Sequence, residues 1–201
     1  MTISSLEEAR VKGNEAFARG EWEEAIKIYE EGLTIEKNDE GMEVEEEGDS
    51  EPQTKIARLD GMRYILLANI AAAKIKMKKW EEAVSAATRA IEEGAVNEKA
   101  LERRAYAYSN MDDKLDSALE DYNKLIEQYP HRRDLQEKVK ELQPRIHERN
   151  EKLKAEMMGK LKSFGDFCLR PFGLSTNSFE MTPNGQGGYS LNMKQSNNQQ
   201  E

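Results

Sequence analysis

Arg10 and Asn14 stand four residues apart, and so do Lys99 and Arg103, with Asn69 between the two pairs. Residues at i and i+4 are neighbours on one face of a helix. Three cations and two amides arranged this way suit the capture of a carboxylate. Arginine offers a planar fork for two oxygens, and lysine a mobile point charge. An asparagine donates through its nitrogen and accepts a peptide N–H through its oxygen, which a bare cation cannot do. Two amides beside three cations therefore fit the end of a peptide chain better than a phosphate alone. To act together, the five residues need a fold that brings distant helices to one surface.

Other chemistry finds no comparable grouping. His131 and His147, the two histidines, lie in strongly polar sequence. No Ser-His-Asp or Cys-His arrangement, Gly-rich phosphate loop or metal-ligand spacing is visible, so neither an enzyme nor a cofactor or metal site is expected. The nearest approach to a calcium loop sets Glu36, Asn38, Glu40 and Glu47 at ligand positions around Gly41. It has Glu where Asp is wanted at the first ligand and Glu43 at a normally apolar position, so calcium is not expected. Cys168 is the single cysteine, which excludes intrachain disulfides.

The positioning elements are announced by a repeat. Trp22-Glu23-Glu24-Ala25-Ile26 returns as Trp80-Glu81-Glu82-Ala83-Val84, and a degenerate third copy follows as Leu115-Asp116-Ser117-Ala118-Leu119. With the shared alanine as position 20 of a unit of roughly 34 residues, position 8 holds Gly13, Ala71 and Ala105. Position 24 holds Tyr29, Ala87 and Tyr122. Small residues at 8 and 20 let two helices approach, and bulky ones at 17 and 24 fill the space between them. The pattern predicts a helix from about Leu6 to Arg19, ended by Gly20, and a second from about Trp22 to Glu36. A longer one is expected from about Thr54 to Lys78, followed by three more up to Pro130. The third unit has one extra residue in its turn, near Met111 to Lys114.

This register resembles the tetratricopeptide repeat (TPR), a helix-turn-helix unit that stacks into a solenoid, over about Leu6 to Pro130. The resemblance implies an all-α, three-repeat TPR solenoid whose first helices line the concave face. Positions 2, 5, 6, 9, 12 and 13 of those helices span an arc of about 120° away from their apolar side. Arg10, Asn14, Asn69, Lys99 and Arg103 fall on that arc. In co-chaperone members of the family the same positions form a two-carboxylate clamp for the C-terminal Glu-Glu-Val-Asp tails of the 70-kDa and 90-kDa heat-shock chaperones. Arg10 stands where that pattern usually has Lys. By the same resemblance Lys76 is an accessory basic position, and Phe17, Ala72 and Ile75 form an apolar shelf under the ligand's Val. The function implied is that of a cytosolic, non-enzymatic adaptor.

The formal charge is −9, yet Asn38 to Glu51 holds eight acids and no base, and without it the rest is near −1. The acidity belongs to a loop inserted at about 37–53, expected to be disordered. No domain-wide basic field exists, so nucleic acid is not an expected partner. No apolar run nears the roughly 20 residues of a membrane span, and Met1 to Glu8 has no signal-peptide character.

After Pro130 a capping helix is expected from about Arg132 to Gln143, closing a domain at 1–143. Pro144 should begin or kink a second, amphipathic segment within 144–174. It ends in an apolar hook of Phe164, Phe167, Cys168, Leu169, Phe172 and Leu174, with Lys160, Lys162 and Arg170 interleaved. The hook suits docking on the chain's own solenoid, a partner protein, or a membrane surface without stable insertion. Asn, Gln, Ser and Gly then dominate, so 175–201 is expected to be disordered. Glu148 to Lys154, Gly159 to Lys162 and Leu169 to Asn177 resemble the tail of a family member described as an adaptor between chaperones and G proteins. That likeness implies Ras-type GTPases or G-protein alpha subunits as partners of the C-terminal region.

Overall fold

Five consecutive helix pairings build the repeats, and each follows from where small residues fall. In this computed structural model residues 3–37, 52–93, 98–183 and 188–194 are described. The helices are α1 (Ile3–Ala18), α2 (Trp22–Lys37), α3 (Pro52–Lys76), α4 (Trp80–Glu93), α5 (Glu98–Ser109), α6 (Leu115–Gln128) and α7 (Arg133–Leu169). From α1 to α6 each packs on the next, and α3 also touches both α1 and α5. The all-α, three-repeat TPR arrangement is therefore the fold of the chain. The acidic run and the calcium-like spacing at 38–47 lie outside the described residues.

Gly13 and Gly32 mark the closest approaches. A Cβ on Gly13 would lie 2.2 Å from Tyr29 Cε1, and one on Gly32 would lie 2.6 Å from Ala9 Cβ. Tyr29 thus packs flat against α1, fully buried beside Ala16, Ala25, Leu66 and Ile70. Trp22 and Phe17 meet edge to face at 4.7 Å, closing the α1–α2 turn. That turn passes through Gly20 at φ +82°, and Glu21 N donates to Ala16 O. The equivalent turn after α3 places Lys78 at φ +58°, with Lys79 N donating to Lys74 O. The extra residue of the third unit is absorbed by a 3-10 turn at Asp112–Lys114.

α7 begins as the expected cap. Leu135 and Leu142 are buried, and Val139 and Ile146 half-buried, against α5 and α6 residues such as Leu101, Leu115 and Tyr122. Pro144 does not begin a new segment: it lies inside α7, which continues from Arg133 to Leu169. An internal proline costs a helix one hydrogen bond. Here Leu142 and Ile146 are packed on either side of it, and Arg145 Nη1 donates to Ser109 O at 2.7 Å. Those contacts hold the helix across the gap.

The chain divides into two compact units, Met1–Ile146 and His147–Glu201. In the second, Leu153, Met157, Leu161, Phe164, Phe167 and Phe172 are exposed. Disorder from Ser175 onward is corrected over the described part of the tail. β1 (Phe179–Pro183) and β2 (Tyr189–Met193) form an antiparallel hairpin. Its register pairs Phe179 with Met193, Met181 with Leu191 and Pro183 with Tyr189, so period-two alternation gives the hairpin one apolar face. The polar composition masked that alternation. Asp166 ties the tail back by accepting from Thr176 Oγ1 at 2.7 Å and from the Thr176 backbone N–H, which hold its pKa below the usual carboxylate value.

Candidate functional site: an amide-bridged groove across three repeats

α1, α3 and α5 each contribute one polar side chain to a continuous line of hydrogen bonds. Arg103 Nη1 donates to Asn69 Oδ1 at 3.3 Å. Asn69 Nδ2 donates to Asn14 Oδ1 at 3.1 Å. The same oxygen accepts from the Tyr29 hydroxyl at 2.7 Å. A guanidinium has no acceptor, so Arg103 fixes which end of Asn69 faces it, and Asn69 in turn fixes Asn14. The line therefore runs in one sense, and it leaves the Asn14 Nδ2 group pointing away from it.

Arg10 and Lys99, also assigned to the clamp, lie outside that line. Arg10 Nη2 donates to Glu7 at 3.3 Å, while its Nε is buried without a hydrogen-bond partner. Lys99 is exposed on α5, one turn before Arg103. The acids adjoining it also hold Arg132. Arg132 Nη1 donates to Glu98 at 2.5 Å and to Glu102 at 3.0 Å, and Nη2 donates to the other Glu102 oxygen at 3.1 Å and to Asp134. Of the accessory positions, Phe17, Ala72 and Ile75 are half-buried and Lys76 is exposed.

Burial and neighbouring charge set the electrostatics along this line. Desolvation lowers the Arg103 pKa from the usual guanidinium value, partly opposed by the Tyr29 and Glu102 side chains. Burial raises the Tyr29 phenol pKa, offset in part by the Arg103 charge and the Asn69 amide. A half-buried guanidinium held by one neutral amide gains more from an incoming carboxylate than one already paired. Arg104, its sequence neighbour, shows the paired case. Its Nε and Nη2 grip Asp121 at 2.7 and 2.8 Å, and its pKa is raised chiefly by that bond.

Tyr29 was not among the residues assigned from sequence to the groove, because the repeat register placed it among packing positions. The signal was present: an acceptor-bearing Asn14 follows directly on a glycine small enough to admit the ring.

Residues 3–147 match the model of the bacterial transcriptional activator domain family, whose fold is TPR-like. The chain belongs to this family. It is also 33% identical over 119 residues to sperm-associated antigen 1 of Mus musculus, covering 59% of this chain and 10% of that relative. The chain thus spans about a tenth of that protein's length. The second TPR domain of human RPAP3, solved with the HSP70 peptide SGPTIEEVD, superposes with a TM-score of 0.52. The identity is 26%, over 69% of this chain and 95% of that one. The first TPR of Spaghetti (RPAP3), bound to the HSP90 peptide SRMEEVD, gives a TM-score of 0.57 at 22% identity. It covers 73% of this chain and 97% of that chain. No helix among the described residues is long and apolar enough to cross a membrane.

Proposed function

We propose that the chain is a non-enzymatic chaperone adaptor, working in the cytosol, whose groove clamps the C-terminal acidic tail of 70-kDa or 90-kDa heat-shock chaperones. One observation carries the reading: Asn14, Asn69 and Arg103, from three separate repeats, are joined in a single hydrogen-bonded line with a desolvated guanidinium at its end. Lys99 lies one turn from Arg103, and Arg10 offers a buried Nε donor that lacks a partner. In support, both RPAP3 domains were solved with peptides ending in Glu-Glu-Val-Asp.

The terminal and side-chain carboxylates of the last Asp would be received by Arg10, Asn14, Asn69, Lys99 and Arg103. Phe17, Ala72 and Ile75 would lie under the Val, and Lys76 near the upstream acids. A charge-assisted hydrogen bond contributes about 1.5–3 kcal/mol when well formed. Offset by ordering a flexible tail, the total comes to about −8 kcal/mol, or micromolar affinity. The Ras-type and G-protein alpha partners implied by the tail draw no support from the comparisons.

Titration calorimetry with an eight-residue peptide ending in Glu-Glu-Val-Asp tests the proposal. Wild type should bind, and Lys99→Ala should lose at least tenfold in affinity without a change in melting temperature. Equal affinity in the two proteins would dismiss the clamp.

A further inference from the structure

We infer that Tyr29 is a positioning residue of the clamp: its hydroxyl fixes the Asn14 side chain so that Nδ2, and not Oδ1, faces an incoming carboxylate. The inference rests on the clamp reading and deepens it. Tyr29 sits on α2, behind the groove rather than in it, and is fully buried. Its hydroxyl meets the groove in a 2.7 Å hydrogen bond to Asn14 Oδ1, with the Asn69 amide and the Arg103 charge nearby. Gly13 is what permits that contact, because the ring lies where a Cβ at position 13 would be.

The consequence for Asn14 is chemical. A side-chain amide has two faces of opposite polarity, and turning it by 180° exchanges donor for acceptor. If Oδ1 faced the ligand, a carboxylate would meet a lone pair and be repelled. Two donors, the Tyr29 hydroxyl and Asn69 Nδ2, converge on Oδ1 and hold it inward. Of the two, only Tyr29 is fixed by a packed core, since Asn69 is itself half-exposed. Preorganised donors save the ligand the cost of ordering them.

The test is Tyr29→Phe, which keeps the ring and its packing and removes one oxygen. The probes are a peptide ending in Glu-Glu-Val-Asp with a free carboxylate and the same peptide with an amidated end. Tyr29→Phe is expected to raise the Kd of the acid peptide about three- to tenfold, the worth of one net hydrogen bond. The amide peptide should be nearly unaffected, so the preference for the free acid shrinks. In an Asn14→Ala background the same change should cost nothing further, because its effect passes through Asn14.

An unchanged Kd for the acid peptide, equal losses for both peptides, or a full additive loss in the Asn14→Ala background would each overturn the inference. Should the phenylalanine variant not fold, the wild-type side-chain amide spectrum decides. The Asn14 Nδ2 signals must move more with the acid than with the amide peptide, and unmoved signals overturn the inference. Arg103→Ala, measured alongside, separates the two levels. If it binds like wild type, the clamp falls and the Tyr29 role with it. If it loses binding while Tyr29→Phe does not, the Tyr29 role alone falls.

Discussion

Tyr29 in the first repeat and Tyr122 in the third share repeat position 24, and both are buried. Their hydroxyls meet different surroundings. Tyr29 reaches Asn14 and through it the groove. Tyr122 lies by Ser109, at a cavity of about 120 Å³ lined also by Tyr106, Leu142 and Arg145. Burial raises its phenol pKa as it does that of Tyr29, with Glu102 adding to the rise. The difference originates one helix away, at position 9, where the first repeat has Asn14 and the third has Tyr106. The first repeat opens its polar groups to the concave face. The third turns Arg104 inward onto Asp121 and joins the groove line through Arg103. A repeat position thus fixes where a side chain starts, and the residue it meets decides whether it serves packing or binding.

Removing Asp121 should separate the two behaviours most clearly. Its side chain is 4% exposed and takes both hydrogen bonds of the Arg104 fork. Asp121→Ala leaves a half-buried guanidinium without its carboxylate and with only the 3.4 Å bond to Thr88 Oγ1, which costs about 3 kcal/mol or more. Urea denaturation should show that loss. Tail-peptide affinity of the folded fraction should stay within about twofold of wild type, because Arg104 does not touch the groove line. A tenfold fall in affinity would mean that the third repeat is not divided between packing and binding as described.

Gly13→Ala attacks the first repeat instead. Alanine is worth up to about 1 kcal/mol over glycine in a helix. The new Cβ, however, would stand 2.2 Å from the Tyr29 ring, and overpacking of this kind costs about 1–3 kcal/mol. A modest net destabilisation is expected, together with a loss of tail affinity that exceeds it, because a displaced Tyr29 releases Asn14. The equivalent third-repeat position already holds Ala105, fully buried, so the same residue type is harmless there. A variant with lowered melting temperature and unaltered tail affinity would break the proposed link between Gly13, Tyr29 and the groove.

The repeated Trp-Glu-Glu-Ala segment made much of this legible. It placed α1 to α6 and set Asn14, Asn69 and Arg103 on helices that touch, because solenoid geometry is a function of register. It also located the extra turn residue that becomes Asp112–Lys114. Three features escaped it. The bond from Tyr29 to Asn14 depends on how closely α1 and α2 approach, which a register does not measure. The passage of α7 through Pro144 depends on Leu142, Ile146 and Arg145 being anchored by a repeat distant in sequence. The hairpin at Phe179–Met193 was hidden because its apolar residues alternate within a polar background, where composition outweighs period.

The smallest effect concerns the turns that join the helices of the first two repeats. Gly20 and Lys78 occupy the same repeat position, and both adopt left-handed backbone, at φ +82° and +58°. Glycine does so freely, whereas an L-residue with a Cβ is strained there by roughly 1 kcal/mol. Lys78 is exposed, so its side chain contributes little packing to offset that strain. Lys78→Gly should therefore raise stability by about 0.5–1 kcal/mol, less the added entropy that glycine brings to the unfolded chain. The reverse exchange, Gly20→Lys, should lower it by a similar amount. Thermal melts of the two variants, read against each other, measure whether the first and second repeats turn by the same geometry. A destabilised Lys78→Gly would show that the second turn depends on its lysine.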